Sequence, residues 1–128
     1  MKRGIWYYAL VLLAAGCVTT PMAYDPVRIF YARPLIAETW YEDLFHRMEK
    51  CLGKSRPYSA INWFLVQPGM IRDGASEGAG LWSSPANIYL DSRFALSEFV
   101  LIHEMAHYLM DEGDSVHDDP LFKACTLL

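Results

Sequence analysis

Residues 100–109, VLIHEMAHYL, limit what this chain can become more than any other stretch of it. The run is apolar, lacks proline and carries two histidines four positions apart, which predicts a helix. Side chains at i and i+4 of a helix stand one above the other, with Cβ atoms about 5–6 Å apart. His103 and His107 can then grip one metal ion. Glu104 follows about 100° further round the helix, beside the metal position without ligating it. A carboxylate placed there can take a proton from water in metal-assisted hydrolysis. The uncharged Ile102, Met105, Ala106, Tyr108 and Leu109 predict a helix that runs through a core and exposes only its metal-facing edge. The plainer alternative is an amphipathic helix with histidines at its polar margin.

A catalytic zinc usually takes three protein ligands and keeps a fourth position open. After His107 the candidates are His117 and the carboxylates Asp111, Glu112, Asp114, Asp118 and Asp119. Gly113 offers a chain reversal behind the helix, and Pro120 can open a short further helix near its first turn. His117 falls between the two helices. It either folds back over the motif or stays an exposed residue of an acidic loop. Asp118 or Asp119 can cap the last helix or orient a ligand histidine.

The text from residue 103 to residue 122, HEMAHYLMDEGDSVHDDPLF, resembles the zincin metallopeptidases and looks closest to their small SprT-like and WLM-like branch. In that branch a third histidine follows the helix after a short loop, with an aromatic residue a few positions later. The resemblance covers mainly the last third of the chain. It implies one Zn2+ ion on His103, His107 and His117, with Glu104 as catalytic base and a peptide or protein as substrate. It departs from the metzincin spacing, where a glycine and the third histidine stand much closer to the second.

At the amino terminus, Lys2 and Arg3 precede an apolar run over residues 5–15. That run has the length of a secretory signal and is short for a bilayer span, which needs about 20 residues. It ends in Ala14, Ala15, Gly16 and Cys17, which resemble the bacterial lipobox. The resemblance implies a lipoprotein signal peptide over residues 1–16 and a lipidated Cys17, hence a membrane anchor in the bacterial cell envelope. Val18 after the cysteine implies sorting to the outer membrane, facing the periplasm, in a Gram-negative host. Export leaves Cys51 and Cys125 as one pair, either a disulfide in an oxidising compartment or two buried thiols.

The remaining residues suit one compact domain, with 17–34 as a proline-containing tether and 35–128 as the catalytic domain. A net charge of −4 argues against nucleic acid as a partner, because phosphate binding wants a basic face. Residues 27–31 can form a short strand. Residues 35–52 show helical spacing up to Gly53, with His46 on a solvated face among charged neighbours. Residues 60–67 read as a strand ended by Pro68 and Gly69. Residues 70–84 are glycine-rich and read as a mobile hairpin connection or active-site loop. Residues 87–91 read as a strand feeding the motif helix, with Asp91 or Ser92 as its cap.

This order suits an α+β, minimal zincin-like fold: a small sheet packed on the motif helix, one preceding helix and a short closing helix. In that architecture an edge strand can bind an extended peptide by strand addition. Residues 80–91 are the candidates, with Trp82 and Tyr89 lining a cleft or packing in the core. Tyr108 and His117 are possible donors to the reaction's oxyanion. The competing expectation is a non-catalytic lipoprotein binding module in which zinc only staples a small fold.

Overall fold

The computed structural model describes residues 28–73 and 75–127. The signal peptide expected over 1–16, Cys17 and most of the tether lie outside these residues. In chain order the strands are β1 (Arg28–Ile29), β2 (Arg33–Pro34), β3 (Asn62–Val66), β4 (Ile71–Asp73), β5 (Ser76–Glu77), β6 (Gly80–Ser83) and β7 (Asn87–Asp91). The helices are α1 (Thr39–Leu52), α2 (Glu98–Met110) and α3 (Pro120–Thr126). The architecture is α+β. Among the described residues no helix is long and apolar enough to cross a membrane.

A four-stranded sheet runs in the order β2-β3-β7-β6, with β3 and β7 parallel and the other pairs antiparallel. Trp63 stands beside Ile88, and Leu65 beside Leu90. Trp63, Ile88 and Leu90 are buried in the core shared with the helices. Helix α1 forms because Tyr41, Leu44, Phe45, Met48 and Leu52 recur at helical spacing, and all five are buried. It begins at Thr39 rather than at residue 35. The amide of Leu35 still donates to Trp63 in β3 (2.9 Å), and Glu38 is extended. Gly53, with φ 62°, ends the helix in the left-handed conformation that glycine adopts without strain. His46 is exposed and bonds Glu49 on its own helix.

Two expectations about the segments around α2 need correction. Residues 70–84 are not one glycine-rich loop: they carry β4, β5 and β6, and β4 joins β1 and β5 in a second, antiparallel sheet. These strands are too short for alternation to show, and cross-strand pairing supplies the order instead. The cap of α2 is Ser97, whose hydroxyl accepts from the Val100 amide, not Asp91 or Ser92. Behind α2 the chain reverses at Asp111, with φ 56°, two residues before Gly113.

Asp91 has a different task. It is fully buried at the end of β7 and accepts from the amides of Gly69 (2.8 Å) and Arg93 (2.9 Å) and from the Arg93 guanidinium (2.7 and 3.0 Å). Arg93 also reaches Glu77 in β5 (3.1 Å), so one carboxylate ties the main sheet to the small one. The hydrogen bond and charge of Arg93 hold the Asp91 carboxyl down at about 2, against the desolvation that would raise it. A depressed folded-state value stabilises the fold above the unfolded value near 4, and that stability is lost as pH falls towards 2. Because the Arg93 arm is half exposed, the linked contribution is about 1–2 kcal/mol rather than the full shift. Asp91→Asn should lower unfolding stability by about 2 kcal/mol at pH 7 and flatten its loss between pH 4 and 2. Urea melts at both ends of that window check this; an unchanged acid slope in the variant would contradict it.

Candidate metal centre

Helix α2 is buried along nearly its whole length, from Val100 to Leu109, with His103 the half-buried exception. Leu101, Met105 and Ala106 are fully buried in the core shared with α1 and the sheet. The apolar sides therefore fix the rotation of the helix, and His103 and His107 are turned together to the remaining edge. His117 arrives from the single turn of 3-10 helix at Asp114–Asp118.

The three Nε2 atoms meet. His103 and His107 are 3.2 Å apart, His103 and His117 3.2 Å, and His107 and His117 2.9 Å. Four ligands at about 2.0–2.1 Å from a tetrahedral metal are about 3.3 Å from one another, so this triangle has close to the edge length such an ion requires. Its protonation fits as well. His107 Nδ1 lies 2.8 Å from the carbonyl of Glu112 and donates to it, which leaves Nε2 with a lone pair facing the other two rings. Burial, followed by the neighbouring histidines, depresses His103 to about 4, and burial also depresses His107. Both rings are neutral near pH 7, the state that binds metal. These three residues can hold a metal ion.

The surroundings lock the triangle. Arg56 donates to the carbonyl of Tyr108 (2.6 Å) and to Asp111 (3.0 Å), closing the C-terminus of α2 just before Glu112. Asp119 caps α3 by accepting from Leu121 (2.7 Å) and Phe122 (3.2 Å). That cap sets Phe122 against all three imidazoles, with ring centroids 5.0–5.4 Å apart. Three residues on, Cys125 is joined to Cys51 of α1 by a disulfide. A bridge that closes 74 residues of chain removes about 4 kcal/mol of loop entropy from the unfolded state. The arm that carries His117 is thereby tied to the core.

Glu104 lines the same cleft as the three histidines. It is 6% exposed, and burial pushes its carboxyl up to about 8, against a smaller lowering effect of the Trp82 backbone. Trp82 also lines this cleft, with its indole parallel to the His107 ring at 6.3 Å. Tyr89 does not reach it. Its strand, β7, lies between β3 and β6, and its ring stacks on Phe64 at 4.8 Å. An internal strand has no free edge for a peptide, so the strand-addition expectation narrows from residues 80–91 to β6. The Tyr108 hydroxyl donates to Pro57 (2.8 Å), which removes it as an oxyanion donor.

The acidic residues after α2 are spent elsewhere. Asp111 pairs with Arg56, Asp118 with Lys123, and Asp119 caps α3. Asp114 alone of the five lines the cleft, and it raises the His103 and His107 values by its charge. Gly80, pressed against Glu104, carried no sequence signal beyond a general glycine richness. Set against protein-family models, curated proteins and solved structures, the chain has no match.

His117→Ala should weaken metal binding by more than the roughly 10–100-fold that loss of an outer partner costs. Elemental mass spectrometry and competition with a chelator dye on the purified full-length protein read this directly. Wild-type affinity in the variant would remove His117 from the site.

Proposed function

We propose that this chain is a zinc-dependent peptidase, held at the bacterial cell envelope through lipid on Cys17. One arrangement carries the reading: three imidazole nitrogens converge beside a single buried carboxylate in an accessible cleft. A set of three neutral imidazoles suits zinc better than magnesium or calcium, which prefer oxygen. Among the described residues no fourth histidine, cysteine or carboxylate joins the cluster, which leaves a coordination position for reactants. Zinc, when bound, supplies the positive charge that polarises the scissile carbonyl.

The chain's own residues divide the remaining work. Burial alone would leave Glu104 protonated near pH 7; held ionised by the charge of a bound metal, it takes the proton from the attacking water and returns it to the departing amine. Substrate lies along β6. The Asp91 amide bonds the carbonyl of Ala79, so alternation turns Ala79, Leu81 and Ser83 towards β7 and leaves the backbone of Gly80 and Trp82 facing outward. The outward-facing backbone groups of Gly80 and Trp82 are the ones open to an extended peptide. The lipobox-like residues before Cys17 support the envelope location.

A second reading has one observation in its favour. Phe122 packs against all three imidazoles, as it would around a zinc that only staples the C-terminal arm to α2. The two readings separate at Glu104. For the peptidase, Glu104→Gln keeps one zinc per chain and lowers hydrolysis of a fluorogenic casein by on the order of 10²–10⁴-fold. Wild-type turnover in that variant would refute Glu104 as base. No turnover by the zinc-loaded wild type on casein or a mixed peptide library, with melting that still depends on zinc, would assign the staple.

A further inference from the structure

The edge strand does more than border the cleft. A Cβ built on Gly80 would stand 2.8 Å from Cγ and 2.9 Å from Oε1 of Glu104, and 2.9 Å from Cγ1 of Val100. Separations below about 3 Å are repulsive for carbon, whose best contacts lie at about 3.5–4.0 Å. Two residues on, Trp82 lines the same cleft as Glu104. Both residues face away from β7 by the alternation described above. The bare backbone at position 80 thus bounds Glu104 from one side, while α2 carries it from the other.

We infer that Gly80 is a positioning residue for Glu104: its missing side chain lets β6 lie against α2 while the Glu104 carboxylate keeps its place in the cleft. The backbone itself does not demand glycine. Position 80 is not among the positive-φ residues of the described chain, so alanine there strains no dihedral. What alanine meets is Glu104. A methyl group must either turn the carboxylate out of its place or lift β6 away from α2. The atoms nearest to the added Cβ belong to Glu104 and Val100, not to an imidazole, so the three-histidine cluster keeps its geometry.

This inference rests on the peptidase reading only for the task given to Glu104, and its test reads no hydrolysis. The experiment is a double-mutant cycle in the zinc-loaded full-length chain: wild type, Gly80→Ala, Glu104→Ala and the double variant, compared by melting temperature and zinc content. Gly80→Ala is expected to retain one zinc and lower the melting temperature, and the drop should shrink by about half or more where Glu104 has already been removed. An equal drop in both backgrounds would overturn the inference, because the added methyl would then be acting through Val100 or the strand alone. If Gly80→Ala does not fold, folding of the double variant supports the coupling, and failure of both overturns it.

A second readout is the Glu104 side-chain carboxyl resonance in a ¹³C-labelled sample. It should move in Gly80→Ala relative to the wild type; an unmoved resonance would overturn the inference. Where casein is hydrolysed, kcat should fall on the order of 10-fold or more, as expected of a displaced catalytic group. Loss of the casein assay in the wild type would refute the peptidase reading and leave the cycle intact.

Discussion

The burial of α2 on three sides is the constraint from which the rest of the structure follows. A helix with Leu101, Met105 and Ala106 fully enclosed cannot rotate without opening the core against α1 and the sheet. The one edge left over carries His103 and His107, and Glu104 is turned from that edge towards β6. Hydrophobic packing, which has no directional preference of its own, here fixes the direction of three polar side chains. The Glu112 carbonyl then holds the His107 ring.

The third histidine is secured by other means, because a single turn of 3-10 helix has little packing of its own. Val116 beside it is buried, Asp119 starts α3 immediately after it, and Phe122 closes over the three rings. The disulfide from Cys125 to α1 ties the far end of that arm to the same core that holds α2. Two independent routes, one through packing and one through a covalent link, thus bring His117 to the nitrogens of α2. In a chain of this size, the disulfide offsets part of the ordering entropy that a small core leaves uncovered.

The sequence disclosed the parts of this design that repeat locally. The i, i+4 histidines on an apolar run define α2 and its metal edge, and the spacing of Tyr41, Leu44, Phe45, Met48 and Leu52 defines α1. His117 stood out as the one histidine after the motif, and Pro120, with Asp118 or Asp119 before it as cap, announced α3. The parts that depend on distant partners stayed hidden. Strands β4 to β6 are two to four residues long, too short for a period to register, and their glycines suggested a loop. Asp91 suggested a helix cap, because nothing nearby announces that Gly69 and Arg93 will converge on it. Gly80 acquires its meaning only when β6 lies against Glu104.

The central claim, a three-histidine zinc site that leaves one position for reactants, is tested most directly by X-ray absorption at the zinc edge of the loaded full-length protein. The account predicts three imidazole nitrogens at about 2.0–2.1 Å with one further light ligand, and no sulfur, since Cys51 and Cys125 are bonded to each other. Fewer than three imidazoles, or a sulfur shell near about 2.3 Å, would contradict it.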